Sequence, residues 1–274
     1  MPEINNITKA NILRREKGAV GAIIVAAGKG SRMGLGFNKV LANLQGRPVI
    51  EWTIREFALS NLIDTLVLVI NPEDREAMVG ICEPYTDKIK LIMENGGDSR
   101  QDSVYNGLKA LPEETDIVLI HDGARPFVDR EVIEKSIIYA QKAGAACAGL
   151  PARDTIKIVD AGNTVLSTPD RKTVWHAQTP QSFKKNIITE AYEKAREKGI
   201  FGTDDAELAE AAGFKVLMFE GSSRNIKLTT AEDLLLGEYY INLSKNSIEC
   251  LTKKDKNIPE MKVINKLYNE DSGD

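Results

Sequence analysis

The chain has 274 residues, 42% hydrophobic, 28% charged and 6% aromatic, with a formal net charge of −4. That length holds one large α/β domain or two small ones, and the balance is that of a globular protein, not a disordered or fibrous one. The acidic sign leaves no overall field to recruit nucleic acid or an anionic membrane, and the three scattered cysteines, Cys82, Cys147 and Cys250, have neither zinc spacing nor the even count of a disulfide framework, which favours a reducing cytoplasm.

Residues 1–17 read as a polar extension of mixed charge, without an apolar run of signal-peptide length, and no stretch of the chain is apolar for long enough to span a bilayer. Ala19 to Ala27 is a nearly continuous apolar run ending at Gly28, the pattern of a central strand buried on both faces. Val49, Ile50, Ile54, Phe57 and Ala58 then recur at helical spacing within 48–60, and Thr65 to Ile70 is a β-branched run. The β-α-β alternation continues with a helix after Pro72, a strand over 89–93, a helix over 98–111, a strand over 117–121, a helix over 131–142 and a strand over 145–150. Such alternation predicts an α/β fold: a mostly parallel central sheet with helices on both faces, whose ligands gather beyond the carboxyl ends of the strands.

The pattern changes between Pro151 and Val174. Short polar-apolar alternation surrounds the turn residues Asp160-Ala-Gly-Asn163, which predicts a β-hairpin leaving the sheet. Helices over 184–198 and 204–212, a strand over 215–219 and a closing helix over 230–243 follow. From Lys245 the sequence is polar and reads as a weakly ordered tail, with a short helix over 259–267 as an option.

Six motifs or clusters bear chemistry. Ala26-Ala-Gly-Lys-Gly-Ser-Arg-Met-Gly34 places Gly28 and Gly30 after the first strand, where backbone amides can approach phosphate oxygens, and Lys29 and Arg32 add charge. It is neither a Walker loop nor G-x-G-x-x-G, because Met33 occupies the third glycine position. The glycines alone fit a tight strand-to-helix turn equally well, and Lys39 alone fits a solvated surface lysine. Together, Arg32, Lys39 and a nest of amides suit a polyphosphate.

Gly96-Gly-Asp-Ser-Arg-Gln-Asp-Ser103 lies at a strand-to-helix junction. Gly96, Gly97, Asp98 and Ser103 there can meet an anion or a base edge, while Asp98 or Ser99 equally fits a helix cap. In His121-Asp-Gly-Ala-Arg-Pro126, Asp122 ends an apolar strand, a position suited to holding Mg²⁺ or another divalent cation on nucleotide phosphates; a salt bridge to Arg125 is the competing account, and His121 reads as a satisfied structural histidine. The remaining clusters are Arg153-Asp-Thr-Ile-Lys157, Asp170-Arg171 with Trp175-His-Ala-Gln-Thr-Pro180, and Asn225-Ile-Lys227. Each has a plain structural reading: exposed hairpin, core tryptophan, helix start at Thr179-Pro180, surface lysine. Together they supply cations and hydroxyls for a second phosphate.

In order and spacing, these motifs resemble the 2-C-methyl-D-erythritol 4-phosphate cytidylyltransferase family of the non-mevalonate isoprenoid pathway, over about 18–240. The resemblance implies a Rossmann-like nucleotidyltransferase fold with a β-arm at 151–174 inside a domain over 18–243, and a homodimer whose arms complete each other's sites. It also implies Mg²⁺-dependent transfer of CMP from CTP to a small sugar-alcohol phosphate. Under it Arg32 and Lys39 stabilise charge on the triphosphate, and Arg171 and Lys227 hold the acceptor. Ala26, Ala27, Gly28, Gly30, Gly96, Gly97, Asp98, Ser103 and Asp122 meet the nucleotide, while Ala124, Arg125, Thr155, Thr179 and Thr203 are substrate contacts, Thr155 and Arg171 reaching across the dimer. Gly123 stands where some members carry alanine, and the two ends of the chain fall outside the family pattern. The alternatives are a ribitol 5-phosphate cytidylyltransferase, a non-catalytic nucleotide-binding protein of the same fold, and a dehydrogenase, the last disfavoured by the missing third glycine.

Overall fold

The structure, a computed structural model, describes residues 18–28 and 38–253, with side chains up to residue 243. The expected N-terminal extension, Lys29 to Gly34 of the Gly-rich turn and the optional helix over 259–267 lie outside the described residues.

Seven strands form the central sheet. The first, β1 (Ala19–Ala26), runs in parallel between β4 (Thr65–Ile70) and β6 (Thr115–Asp122). Beyond β4 lies β5 (Lys90–Asn95); beyond β6 lie β10 (Trp175–Lys184), β7 (Ala145–Pro151) and β11 (Leu217–Glu220), with β10 antiparallel to both of its neighbours. Two short hairpins stand outside the sheet, β2 (Asn43–Leu44) with β3 (Arg47–Pro48) and β8 (Ile158–Val159) with β9 (Val165–Ser167).

The apolar run of β1 is explained by helices on both faces, because side chains alternate across a strand. Ile24 shares a core with Ile54 and Phe57 of α1 (Val49–Ala58), Met78 of α2 (Arg75–Cys82) and Ile133 of α4 (Arg130–Ala143). Ile23 points the other way, into a cluster with Val104 of α3 (Arg100–Ala110), Tyr192 of α5 (Lys185–Lys198) and Leu208 of α6 (Asp205–Ala211). Truncating the fully buried Phe57 to alanine would cost about 3–5 kcal/mol. A third cluster, Leu44, Val49, Leu228 and Ile241, seats the last helix, α7 (Ala231–Lys253), against β2 and the start of α1. Among the described residues no helix is long and apolar enough to cross a membrane.

Two expectations are corrected. Residues 175–184, read as a core tryptophan and a helix start at Thr179-Pro180, form the longest strand of the sheet. The register of β10 against β7 shifts between Ala177 and Gln181, which accommodates Pro180, a residue with no amide to give to the ladder. The closing helix also continues past Leu243 to Lys253, into the stretch read as a weakly ordered tail.

The 151–174 segment does leave the sheet. Asp160 holds its turn by accepting from the amides of Gly162 and Thr164, both at 2.9 Å, and Asn163 takes a left-handed φ of 63°. After β1 the chain builds β4 and β5 to one side and then places β6 on the other. The carboxyl ends of β1 and β6 therefore flank a reversal of strand order, where open α/β sheets bind ligands.

Candidate active site

Gly28 follows the end of β1, and residues 29–37, among them Gly30 and Arg32, lie outside the described residues. Where the described chain resumes, it is tied back to the end of β1. Buried Asn38 donates through Nδ2 to the Ala26 carbonyl at 2.7 Å and to Asp74 Oδ2 at 2.8 Å, and its Oδ1 caps the short turn Lys39–Leu41 by accepting from the Val40 amide. Lys39 thereby enters the wall of an open cleft of about 340 Å³ beyond the ends of β1 and β6.

The opposite wall is the β5–α3 turn. A Cβ on Gly96 would lie 2.3 Å from the Ala27 Cβ, so the turn reaches the end of β1 only with glycine there. Ser103 Oγ donates to the Ser99 carbonyl at 2.9 Å and accepts from the Gly97 amide at 3.1 Å, which sets the loop's shape. The capping reading holds for Ser99, whose side chain accepts from the Asp102 amide, while Asp98 is exposed in the cleft.

Asp122 forms the floor. Its Oδ1 accepts from Arg100 Nε at 3.3 Å, and its Oδ2 lies 2.8 Å from Lys227 Nζ and 3.5 Å from Arg125 Nε. The ion pair with Arg125, set against metal binding as a competing account, is therefore present beside two others. Burial would raise the Asp122 carboxyl; Arg100, Lys227 and Arg125 together hold it well below the usual carboxylate range, so it is ionised at neutral pH. Arg100 has the same balance from the cationic side: burial works against its charge, and Asp205 and Asp122 more than restore it.

Behind the floor, His121 is fully buried. Its Nε2 lies 3.1 Å from the Arg125 carbonyl and Nδ1 3.0 Å from Thr179 Oγ1, while Thr179 Oγ1 accepts from the Asp122 amide at 3.1 Å. These contacts assign a proton to Nε2 and leave Nδ1 as the acceptor for the threonine hydroxyl. Burial lowers the imidazole to about pKa 4, so His121 is neutral scaffolding, as the sequence suggests. Burial likewise pushes the Cys82 and Cys147 thiols up to about 12, which leaves neither as a nucleophile.

The cleft thus gathers Ala26, Ala27, Gly28, Lys39, Gly97, Asp98, Ser103, Asp122, Ala124 and Lys227 from the expected set. Arg125 and Thr179 sit behind it: Arg125 donates from Nη1 to the Asn225 carbonyl at 2.8 Å, and the Thr179 hydroxyl is engaged as above. Exposed Thr203 gives both its amide and its hydroxyl to Glu207. Thr155 and Arg171 lie on the arm, both exposed, with Arg171 Nη1 donating to the Arg153 carbonyl at 3.1 Å. Alanine at Gly123 would bring a methyl 2.8 Å from Ile50 Cδ1 and 3.0 Å from the Val25 carbonyl, which accounts for glycine in this chain.

Four residues receive no role of their own from the sequence, although two of them stand inside quoted motifs: Asn38, Arg100, Asp205 and Asn225. Fully buried Asn225 donates to the Thr179 carbonyl at 2.7 Å and so fixes the segment that carries Lys227. Arg100 has one local signal, since a cation in the first turn of α3 opposes the helix dipole and calls for a partner. That partner, Asp205, is 105 residues away, so no local pattern announces it.

The model of the 2-C-methyl-D-erythritol 4-phosphate cytidylyltransferase family matches residues 20–243. A protein of that name from Caldanaerobacter subterraneus subsp. tengcongensis is 43% identical over 223 residues, 81% of this chain and 98% of the relative. One from Clostridioides difficile is 46% identical over 224 residues, 81% of this chain and 94% of the relative. The crystal structure of 4-diphosphocytidyl-2C-methyl-D-erythritol synthase from Anaerococcus prevotii superposes with a TM-score of 0.75 at 34% identity, covering 83% of this chain and all of that one.

Proposed function

The chain belongs to the 2-C-methyl-D-erythritol 4-phosphate cytidylyltransferase family and transfers CMP from CTP to 2-C-methyl-D-erythritol 4-phosphate in isoprenoid precursor synthesis; we propose that it does so in the cleft between the ends of β1 and β6. The observation that carries this location is the convergence on one carboxylate, Asp122, of Lys227 and Arg100, facing Lys39 across a floor walled by Gly28 and Gly97. An oxygen of the acceptor phosphate attacks the α-phosphorus of CTP. The bond from that phosphorus to the bridging oxygen breaks, and pyrophosphate departs with the electron pair. Because one anion approaches another, the work of the protein is orientation and charge neutralisation, without a covalent enzyme intermediate.

In this reading Arg32 and Lys39 meet the triphosphate, Gly97, Asp98 and Ser103 bound the base and ribose, and Lys227 turns from Asp122 to the acceptor phosphate. Among the described residues no group of three His, Cys, Asp or Glu could hold a metal alone. A single strand-end carboxylate nevertheless fits Mg²⁺, which takes one or two carboxylates and otherwise phosphate and water oxygens, and Asp122 would hold it. When bound, the ion would neutralise charge on the phosphates.

The exposed apolar side chains of the arm, Ile158, Val159, Val165 and Leu166, support a homodimer in which Thr155 and Arg171 serve the partner's cleft. We read 18–243 as the catalytic unit, with 151–174 as its arm, and the free thiols of Cys82 and Cys147 support a cytoplasmic setting. The test is pyrophosphate release from CTP and Mg²⁺ with each acceptor in turn. Faster release with 2-C-methyl-D-erythritol 4-phosphate supports the assignment, and faster release with ribitol 5-phosphate overturns it.

A further inference from the structure

Among the described residues three cations surround Asp122, but they are not equivalent. Arg100 places its guanidinium fork on Asp205, Nη1 to Oδ1 at 3.1 Å and Nη2 to Oδ2 at 2.8 Å, and turns its Nε to Asp122 Oδ1. Asp205 is fully buried and doubly secured. It accepts from the Tyr192 hydroxyl at 2.6 Å, and its amide donates to Gln181 Oε1 at 2.9 Å. Arg100 is therefore fixed from behind and cannot follow a ligand. Arg125 lies on the Oδ2 side, its Nε buried without a hydrogen-bond partner and its Nη1 tied to the Asn225 carbonyl. Lys227, an ammonium on a flexible four-carbon stem, is the cation able to move.

Transfer then raises a difficulty within the site. If Lys227 leaves for a substrate phosphate, Asp122 loses its shortest ion pair and keeps Arg125 only at 3.5 Å, and a buried carboxylate that loses a partner is disfavoured unless the divalent cation it would hold arrives in its place. We propose that Arg100 is a positioning residue that keeps the Asp122 carboxylate paired and aimed while Lys227 exchanges Asp122 for the acceptor phosphate. With Lys227 gone, Arg100 Nε remains the cationic donor with a directed hydrogen bond to Asp122. Because Arg100 opens α3 straight after the loop of Gly97 and Asp98, the same side chain ties the nucleotide wall to the acceptor floor. The proposal rests on the reading that Lys227 engages the acceptor.

The test is a kinetic cycle on the full chain with Arg100→Lys, Lys227→Gln and the double variant, each checked for folding by thermal melting. A lysine at this position cannot satisfy the Asp205 fork and Asp122 together. Arg100→Lys is expected to lower kcat by on the order of tenfold to a hundredfold while the KM for CTP stays within about threefold. In the Lys227→Gln background Asp122 depends on Arg100 throughout the cycle, so Arg100→Lys should cost more than it does in the wild type, a combined loss greater than the product of the two single losses. A combined loss no greater than that product, or an Arg100→Lys enzyme with wild-type kcat, overturns the proposal, since a merely structural arginine would shift melting irrespective of Lys227. Asp205→Asn supplies a second entry to the cycle and should reproduce the non-additivity if Arg100→Lys does not fold. Near-normal turnover by Lys227→Gln alone would instead defeat the reading of Lys227, whatever Arg100 does.

Discussion

Lys227 Nζ lies 2.8 Å from Asp122 Oδ2, so the cation assigned to the acceptor phosphate has a carboxylate as its resting partner. Lys227→Gln should therefore weaken the acceptor side selectively. The KM for 2-C-methyl-D-erythritol 4-phosphate should rise and kcat fall, together on the order of a hundredfold in kcat/KM, while the KM for CTP changes little. Initial rates with each substrate varied in turn measure this.

The proposed donor side has its own cations, Arg32 and Lys39. Lys39→Ala and Arg32→Ala should each reduce turnover by on the order of a hundredfold, as removal of a charge-stabilising donor typically does. Pyrophosphate release at saturating acceptor is the measurement, and near-normal turnover in both would remove the triphosphate role of the loop.

His121 makes stability depend on pH. Its folded pKa is lowered to about 4 from 6.5, so between these values the unfolded chain binds a proton that the folded chain does not. Stability is complete above about pH 6.5, declines as pH falls and has lost about 3 kcal/mol once pH passes below about 4. Urea denaturation between pH 7 and 4.5, without nucleotide or divalent cation, should show the decline. His121→Gln should be less stable at pH 7 and show a flatter profile.

Gly96→Ala tests the contact between the two walls. The new methyl would fall 2.3 Å from the Ala27 Cβ and 3.0 Å from Ser103 Oγ, so the loop must back away from the end of β1. A loss of about 1–3 kcal/mol in denaturant unfolding is expected. The KM for CTP should also rise, whereas a simple packing defect would leave it unchanged.

On the arm, Ile158 and Leu166 are 47% and 65% exposed. Replacing both with aspartate should leave the melting temperature of the core near wild type and convert a dimer to a monomer by light scattering. A wild-type chain that is already monomeric would refute the shared-site reading.

The sheet was legible wherever a strand is buried on both faces, as in Ala19–Ala26 and Thr65–Ile70, because continuous apolar runs leave little choice of environment. The strand Trp175–Lys184 was not. Its Thr179, Gln181 and Ser182 are buried polar residues whose hydroxyls and amide serve partners far along the chain, and Pro180 argues locally against a strand. The same divide runs through the site. Gly28, Lys39, Asp122 and Lys227 belong to compact local motifs, whereas the significance of Arg100 depends on Asp205, which only the folded chain brings near. Closing helix α7 outran its apolar pattern because helical continuation over polar residues needs no buried face.

The roots of the arm are paired across neighbouring antiparallel strands, Trp175 opposite Pro151 and His176 opposite Leu150. Two such strands can be joined by a two-residue turn, so everything between them is an insertion into what would otherwise be an ordinary hairpin. In the register of the sheet, the core and the arm are thus separable parts. Shortening the arm should leave unaltered the register that carries Thr179 and Gln181 to Asp122 and Asp205 while removing Thr155 and Arg171, which separates what those two side chains contribute from what the cleft does alone.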